Sequence, residues 1–456
     1  MPIFCLLLAF AMAAAAGTAP ELPARFSNST AAAIWPGAQW YHEFGSDELD
    51  SLLRNAAANS LDIAAAEARV RQAASRARAA AATRRPQIDA AANGSHFGGR
   101  AGGSSASETD WSALLSASYE IDFWGRNRAV ATSASALARS SAADRDTVAI
   151  TTAAAIANTY FEVLSLRERE ANAAANLAAT SDTLKVLEAR FNAGMTSAVE
   201  VATQRAAVAA AELTLPELRQ QEITTLGTLA LLTGNDPEGF DVRGNTLAAL
   251  RAPAIAPGLP AELLTRRPDL VSAEAGLAAA NADVAAARAA LFPALVLTGS
   301  GGVQNPAVQA AVTTLEGTGG SLVLGASLAQ TLFDGGRRRA MRAESEARAD
   351  ELLINYRSAI RNSLLDVENA LSSVQQLSLQ VPMHAEQVAQ SERAAEGSQL
   401  RYRAGSGDYL IMLEAQRSLF AARDAQNLNR LAGLQSLVNL CKALGGGWQP
   451  TAAAPR

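Results

Sequence analysis

The sequence repeats one interrupted helical pattern, and this repeat limits the possible folds more than any other feature. RFNAGMTSAVEVATQR (190–205) and RYRAGSGDYLIMLEAQR (401–417) each break a helical pattern at an Ala-Gly pair. The two turn glycines, Gly194 and Gly405, lie 211 residues apart. A constant offset of this kind indicates two copies of one supersecondary unit.

Other landmarks keep nearly the same offset. YEIDFWGRNR ends at Arg128 and QTLFDGGRRR at Arg339, again 211 residues apart, and two helix-ending prolines, Pro86 and Pro293, are separated by 207. A proline-rich segment lies between the halves. We therefore expect a leader, an N-terminal segment, a first repeat, a linker, a second repeat and a C-terminal tail at residues 1–16, 17–60, 61–250, 251–260, 261–447 and 448–456.

Each half contains two strand-like runs with a Gly/Ser-rich loop between them. The runs are QIDAAANG and DWSALLSASYEIDF in the first half, and ALVLTGSG and SLVLGASLAQTLF in the second. In the last of these, Leu322, Leu324 and Leu328 alternate with smaller or polar residues. This period of two predicts a strand with two unlike faces.

Two long helices follow the strand pairs. The spans Arg126–Ala193 and Arg337–Ala404 carry helical patterns, and a helix of that length reaches ~100 Å at 1.5 Å per residue. Pro216 and Pro382 fall inside helical stretches, where we expect kinks. The second span has an apolar seam with a mean step of about 3.5 residues, which is typical of a coiled coil: Leu353, Tyr356, Ile360, Leu364, Val367, Leu371 and Val374.

Four strands in one chain are too few for a membrane barrel. About eight strands are the practical minimum for closure, and an open sheet would leave unpaired edges in lipid. The strand count therefore predicts a homo-oligomer that pools its strands, and three chains would supply twelve.

Composition narrows the location and the partners. The net charge of −5 gives no basic surface for nucleic acid. Residues 3–16 form an apolar run followed by small residues, which is typical of a secretory signal peptide. No later stretch has the ~18 continuous apolar residues of a spanning helix. We expect an exported protein without a transmembrane helix, and no disulfide between Cys5 and Cys441 because the signal is removed.

The chain resembles the TolC-like outer-membrane factors, specifically the NodT-type outer-membrane efflux proteins of RND multidrug efflux systems. The resemblance spans roughly residues 35–447 and rests on six features. These are the two Ala-Gly turns and the segments WYHEFGSDELDSLL, SYEIDFWGRNR, LLTRRPDLVSAEAGLAAANADVAAARAALFP and LFDGGRRRA. The third of these segments is long and specific.

The resemblance implies a fold that is mainly α with a membrane β-barrel. Duplicated strand–strand–helical-hairpin units would form a homotrimer, with a 12-stranded barrel in outer-membrane lipid and a long α-helical barrel in the periplasm. The partners would be a periplasmic adaptor (membrane fusion) protein and an inner-membrane RND-type pump. Members often carry a lipid-modified cysteine after the signal, but Cys5 has no signal core before it. We therefore expect an unlipidated protein, or a start site upstream of Met1.

By the same resemblance, the two turns are the periplasmic tips of the hairpins. Glycine there also satisfies the need of a helix end for a left-handed residue. We expect contact with the adaptor at two short segments of small residues, namely Gly194, Met195, Thr196, Gly405, Ser406 and Gly407.

A charged set past the second turn is the candidate gate. Leu410, Glu414 and Arg417 share one helical face, and Asp408 precedes them. In the resembled family, the matching leucine and carboxylate narrow the closed periplasmic end, and the arginine ties neighbouring helices together. The plain alternative is a solvated face with a Glu–Arg pair worth a few tenths of a kcal/mol. The first copy has one residue less between Gly194 and Arg205, so we assign the gate to the second copy.

No catalytic, metal or cofactor site is predicted. His42, His96 and His384 have no metal-ligand spacing. Arg266 and Arg267 precede Pro268-Asp269, which we interpret as helix-start chemistry. A cluster of aromatic residues would form either an interfacial girdle or a sheet-to-helix junction, and we prefer the junction for the last two: Phe97, Trp111, Tyr119, Phe123 and Trp124.

Three function classes compete. A passive outer-membrane channel for drugs or other small molecules fits the two hairpins and four strands, and type I polypeptide secretion is its alternative within the channel class. A periplasmic adaptor has one hairpin per chain with flanking β-domains. An exported hydrolase would need a catalytic constellation that the sequence does not contain.

Overall fold

A computed structural model describes residues 26, 34–101, 104–255, 260–304 and 320–449. The predicted signal peptide, the middle of the linker and most of the C-terminal tail lie outside these residues. The described chain divides into two compact units, each assembled from both sequence halves. The first unit comprises residues 1–67, 143–271 and 357–456, and the second comprises residues 68–142 and 272–356. The division into repeats drawn from the sequence stays a prediction.

Four antiparallel strands form the sheet of the second unit, in the order β1-β2-β3-β4. They span Gln87–Ala101, Ser104–Ile121, Ala294–Gln304 and Gly320–Ala329. The sequence predicted all four. The predicted Gly/Ser-rich loop of the first half was wrong in extent, because β1 and β2 continue through most of it and pair directly up to Ala101 and Ser104. Small residues extend this hairpin because the ladder satisfies their backbone groups.

The register gives the sheet one apolar face. Tyr119 pairs with Leu297 and Ile121 with Leu295, while Leu295 also pairs with Leu328. Directly opposed residues share a face. The opposite face is largely polar: Asp89, Ser112, Ser116, Ser118, Glu120, Thr298, Ser300 and Ser327. The predicted alternation of Leu322, Leu324 and Leu328 with smaller residues is thus a property of the whole sheet.

Each sequence half also supplies a helical hairpin. Helices α1 (Asp47–Asn59) and α2 (Leu61–Ala82) precede the sheet. The first hairpin pairs α3 (Arg126–Asn192) with α4 (Ala198–Thr233). The short α5 (Leu263–Arg266) and then α6 (Pro268–Ala289) lead into the second half, whose hairpin pairs α7 (Arg337–Arg403) with α8 (Tyr409–Ala443).

The long helices match the predicted spans closely. Helices α3 and α7 have 67 residues each, as the sequence pattern predicted to within one residue. Pro216 and Pro382 lie inside α4 and α7, and both helices continue past them. The seam of α7 is largely confirmed in the first unit, where Ile360, Val367 and Leu371 are buried.

The main core of the first unit packs α1 against the middle of α3. Phe44, Leu49, Ile156 and Phe161 are fully buried there, and Phe44 and Phe161 lie 5.1 Å apart between ring centroids. Helix α3 is also the one helix in the described part of the chain that is long and apolar enough to cross a membrane, and 44% of its apolar window is buried inside the chain. The buried core helices of other proteins can be equally long and apolar, so these two properties are weak evidence that α3 spans a membrane.

Two opposite charges hold the segment after α4 onto this core. The Glu48 carboxylate accepts hydrogen bonds from the backbone N–H groups of Arg243 and Gly244, at 2.6 and 2.9 Å, and from the Tyr160 hydroxyl at 3.0 Å. Arg167 donates to the carbonyl of Gly244 at 2.8 Å and pairs with Glu222 at 2.6 Å. Burial raises the pKa of Tyr160 to about 12, so it stays a donor.

Candidate functional site

The first candidate tip is a helix end that closes on Gly194. Gly194 adopts a φ of 73°, and its N–H donates to the Phe191 carbonyl at 2.9 Å. The N–H of Met195 reaches back to Arg190 at 2.8 Å. These bonds define a Schellman motif, which satisfies carbonyls at the end of α3. Ser197 then caps α4 by accepting from the N–H of Glu200 at 3.2 Å.

The second candidate tip repeats this arrangement at Gly405. Its φ is 76°, and its N–H donates to Tyr402 at 3.0 Å. The N–H of Ser406 donates to the Arg401 carbonyl, also at 3.0 Å. A Cβ added at Gly194 or Gly405 would meet no atom within 4 Å. Both glycines are therefore required by backbone conformation, not by lack of space.

Gly407 and Asp408 serve the second turn in different ways. A Cβ on Gly407 would lie 2.7 Å from the backbone nitrogen of Tyr402, so this position admits no larger residue without movement. Asp408 caps α8, where its carboxylate accepts from the N–H of Leu410 at 2.7 Å. The structure thus gives both residues a local role, and their part in docking or gating stays a prediction.

One arginine links the two tips. The guanidinium of Arg190, at the end of α3, donates to the backbone carbonyls of Tyr402 and Arg403, each at 3.1 Å. It also lies 4.6 Å from the centroid of the Tyr402 ring. A cation suits the carbonyl end of a helix, because those carbonyls carry partial negative charge. Sequence analysis missed Arg190, although its place in the last turn of a helix was a usable signal.

A buried polar chain joins the hairpins just past the tips. Gln204 is fully buried; its amide donates to the Thr180 carbonyl at 2.7 Å and its oxygen accepts from the Tyr409 hydroxyl at 2.8 Å. Burial raises the pKa of Tyr409 to about 12. Leu187 and Met412 pack around this chain. Gln204 was also missed, since a lone glutamine in a helical pattern gives no sign of burial.

The gate candidates Leu410, Glu414 and Arg417 are all exposed on α8, and Leu410 is 62% exposed. In the part of the chain that the structure describes, neither charged side chain has an ion-pair or hydrogen-bond partner, so the Glu–Arg pair of the plain alternative does not form. An open groove of about 620 Å³ lies beside Leu410, Glu414 and the exposed Ile411. This face of α8 therefore combines apolar and charged side chains, and it is accessible to another chain.

The first hairpin differs at the matching place. Arg205 pairs with Glu188 of α3 at 2.8 Å, within its own hairpin. Glu200 accepts from the Thr196 hydroxyl. The charged groups past the first tip are thus occupied, whereas Glu414 and Arg417 past the second have no such partner within the described residues. The assignment of the gate to the second copy stays a prediction.

The sequence motif RRPD forms a structural junction. Arg267 binds Asp269 at 2.6 Å, Asp366 at 3.2 Å, and the Ala443 carbonyl at 3.2 Å. Burial alone would lower the pKa of Arg267, but its bonds to Asp269 and Asp366 outweigh it and raise the pKa. Arg266 lies 4.4 Å from the centroid of Trp35. Within the described ranges, no group of three metal-ligating side chains occurs.

Trp124 lies at the sheet-to-helix junction, as predicted, and Phe123 beside it is 74% exposed. Trp124 stacks on Phe292 at 4.5 Å between ring centroids and donates to the Pro293 carbonyl at 2.9 Å. Trp111 and Tyr119 share the apolar sheet face through their odd positions in β2, ~26 Å apart at about 3.3 Å per residue. Their place in an interfacial girdle stays a prediction. The side chain of Phe97 lies outside the described atoms.

Comparison with known proteins identifies one matching family and several relatives of the same kind. The family model "Outer membrane efflux protein" matches residues 52–235 and 259–446. The pyoverdine export outer membrane protein OpmQ of Pseudomonas aeruginosa is 44% identical over 420 residues, which cover 90% of this chain and 88% of OpmQ. OpmQ of Pseudomonas putida is 40% identical over 95% of this chain and 93% of its own length.

A solved structure shows the same fold. The outer-membrane channel OprN aligns with a TM-score of 0.85 at 27% identity, over 95% of this chain and 98% of OprN. The fold predicted from the sequence, with duplicated strand and hairpin units, a long α-barrel and a membrane β-barrel, is therefore confirmed.

Proposed function

Because the chain belongs to the outer membrane efflux protein family, we propose that its second hairpin gates a channel and that both hairpin tips contact a periplasmic adaptor. The observation that carries the gate is the exposed set of Leu410, Glu414 and Arg417, whose charges have no partner within the described chain. The paired Arg205 of the first hairpin provides the contrast.

The chain acts as an outer-membrane channel of a tripartite efflux system, extending from the membrane into the periplasm. Its relatives are efflux and export channels, not enzymes, and they favour small-molecule efflux over type I polypeptide secretion. The four-stranded sheet fits the wall of a passive channel, because its apolar face suits contact with lipid and its polar face suits a water-filled lumen.

The channel requires several copies of the chain. We assign a homotrimer, since three four-stranded sheets supply enough strands to close a barrel and leave no edge in lipid. In such a trimer, three copies of the Glu414 and Arg417 face meet near one axis. Each arginine can then pair with a carboxylate of the neighbouring chain, which closes the passage until the tips move apart.

The tips support contact with an adaptor. Met195 is 72% exposed and Val199 is 73% exposed beside the first turn, and Leu400 is 66% exposed beside the second. Exposed apolar side chains around small turn residues suit a helical partner that approaches end-on. An inner-membrane RND-type pump would drive transport through that adaptor. We assign Gly194, Met195, Thr196, Gly405, Ser406 and Gly407 to this contact.

Efflux by a tip variant tests this assignment. We expect Gly194→Trp with Gly405→Trp to abolish efflux in a strain that lacks its own channel, while heat-modifiable trimers persist on unheated gels. Gly433→Trp in α8, where a Cβ has no neighbour within 4 Å, is the control for added bulk on a helix away from the tips. Normal efflux by the double variant, with trimers present, would contradict the assignment.

A siderophore is the second, finer candidate for the cargo. The two OpmQ proteins, both described as pyoverdine exporters, are 44% and 40% identical to this chain over nearly its full length. We therefore propose export of an iron-chelating small molecule. Deletion of the gene should lower the siderophore in iron-limited culture medium and raise it in the periplasm. An unchanged distribution, with altered drug resistance, would favour drugs instead.

A further inference from the structure

Five arginines follow directly after the strands, where two long helices begin. Arg126 and Arg128 open α3, and Arg337, Arg338 and Arg339 open α7. This local excess of positive charge occurs in a chain whose net charge is −5. The same two segments, residues 120–128 and 331–339, contain three carboxylates: Glu120, Asp122 and Asp334.

The helix starts are capped by carboxylates, not by these arginines. A cation in the first helical turn is disfavoured by the positive end of the helix dipole. Two of the carboxylates serve as caps instead. Asp122 accepts from the N–H groups of Asn127 and Arg128 at 2.9 and 2.8 Å, and Asp334 accepts from those of Gly336 and Arg338 at 3.0 and 3.2 Å. The arginines therefore need another explanation.

The register shows where this edge of the sheet lies. β2 ends at Ile121, which pairs with Leu295 near the start of β3, and β4 ends at Ala329, which pairs with Ala294. The strand ends and the helix starts thus meet at one edge. In an outer-membrane channel whose helices extend into the periplasm, this edge lies at the headgroups of the inner leaflet.

Large apolar side chains surround the arginines at this edge. Phe123 is 74% exposed, Leu332 is 94% exposed and Phe333 is 89% exposed. A cavity of about 300 Å³ beside Phe123 is lined by two carboxylates, which Arg126 and backbone N–H groups already occupy, and by three rings and three arginines: Glu120, Asp122, Phe123, Trp124, Phe292, Arg126, Arg337 and Arg338. Exposed rings beside basic side chains are typical of the boundary between acyl chains and headgroups.

Some of these arginines already have partners. Arg126 pairs with Glu120 at 2.7 Å. Arg338 pairs with Asp334 at 3.8 Å and donates to the Thr331 hydroxyl at 2.6 Å and to the Ala290 carbonyl at 3.0 Å. The guanidinium groups of Arg128, Arg337 and Arg339 are exposed and, within the described residues, have neither an ion-pair nor a hydrogen-bond partner. These three remain available to an external anion.

We propose that this edge is a headgroup site for an anionic glycerophospholipid of the inner leaflet. Arg337 and its neighbours bind the phosphate, since a guanidinium matches phosphate oxygens with two parallel hydrogen bonds. Phe123 and Phe333 lie at the glycerol level, and the acyl chains follow the apolar sheet face that ends at Ile121 and Leu328. The arginines thereby fix the depth of the channel in the membrane.

Lipid binding to the purified, delipidated full-length oligomer tests the site. Fluorescent phosphatidylglycerol and phosphatidylcholine of equal chain length are titrated against the wild type and against Arg337→Gln/Arg339→Gln. The wild type should prefer phosphatidylglycerol. The double variant should bind phosphatidylglycerol about fivefold more weakly for each arginine removed, as expected for basic side chains at an anionic surface. Its affinity for phosphatidylcholine should not change. Millimolar inorganic phosphate should not displace the lipid, because it lacks the acyl contacts.

Arg361→Gln/Arg393→Gln removes the same charge from exposed positions further along α7 and is the matched control. It should bind phosphatidylglycerol as the wild type does. Should the first variant fail to assemble, Arg128→Gln alone should lower the affinity for phosphatidylglycerol about fivefold. Equal wild-type binding of the two lipids, an equal loss in the control, or unchanged binding by the Arg337/Arg339 or Arg128 variant would overturn the proposal.

Discussion

Arg190 of the first hairpin lies 4.6 Å from the ring centroid of Tyr402 in the second and donates to the Tyr402 carbonyl at 3.1 Å. One side chain of α3 thereby caps the carbonyl groups at the end of α7. The two tips, which the sequence presents as separate copies, consequently behave as one structural piece. The buried bond between Gln204 and Tyr409 provides a second link between the two hairpins.

Removal of the Arg190 side chain should loosen the second tip. In Arg190→Met, two helix-end carbonyls lose a charged donor, at a cost of about 1–2 kcal/mol. Amide hydrogens of residues 401–407 should then exchange about 5- to 30-fold faster than in the wild type. Arg205→Met, which breaks a pair inside the first hairpin, should leave exchange at 401–407 unchanged. Equal exchange in Arg190→Met and the wild type would show that the contact carries no energy.

The turn glycines should respond to alanine with a sign opposite to that of helical glycines. Gly405→Ala must hold a φ of 76°, which costs a residue with a Cβ about 1–2 kcal/mol. Gly433→Ala replaces a glycine inside α8 that has open space around it, and should gain up to about 1 kcal/mol. Thermal unfolding of the two variants, followed by circular dichroism in detergent, should therefore shift in opposite directions. A stabilised Gly405→Ala would contradict the described turn.

Gly407→Ala tests close approach at the same turn. The added methyl would lie 2.7 Å from the Tyr402 nitrogen and 2.9 Å from the Arg401 carbonyl carbon, so the turn must shift. We expect a loss of about 1–3 kcal/mol from this overpacking, again as a lower unfolding temperature. Ser406→Ala is the matched control, because it adds no atoms to the turn and removes only an exposed, 3.3 Å hydrogen bond from the Ser406 hydroxyl to the Arg401 carbonyl. If both variants unfold at the same temperature, the turn has more freedom than the structure indicates.

The thiol of Cys441 should be inert in the folded chain. It is fully buried, and burial raises its pKa from 9.0 to about 12. Between pH 9 and pH 12 the thiol stays protonated in the folded chain but ionises in the unfolded chain, which favours unfolding. The contribution of the buried neutral thiol to the free energy of unfolding is therefore complete below pH 9 and is lost as the pH rises towards 12.

Labelling with a maleimide at pH 8 checks the thiol directly. Intact-mass measurement should show no modification of the native protein within an hour and complete modification in denaturant. Met195→Cys, at a position that is 72% exposed, is the positive control. Rapid labelling of Cys441 in the native wild type would contradict its burial.

The sequence predicted what depends on local pattern. Both 67-residue helices and the four strands follow from periodicity and from the prolines that end the preceding helices. The turn at Gly405 follows from the need for a left-handed residue. The length of β1 could not be read in the same way, because its glycines and serines resemble a loop until the partner strand supplies their hydrogen bonds.

Contacts between the hairpins escaped sequence reasoning for a physical reason. Arg190 and Gln204 meet partners more than 200 residues away, and no local spacing encodes that distance. The candidate gate shows the converse case. Glu414 and Arg417 have the spacing of an ordinary helical pair, yet the pair does not form in the described chain, so the spacing alone would have suggested the wrong partner.

Single-channel conductance in planar bilayers tests the central claim most directly. Glu414→Ala/Arg417→Ala should raise the conductance of the reconstituted channel several-fold, because it removes the charges that would hold the second hairpins together at the axis. Glu392→Ala/Arg423→Ala, which removes an equally charged pair 2.7 Å apart between α7 and α8, should conduct as the wild type does. Unchanged conductance in the first variant, or an equal rise in both, would contradict a gate at this face.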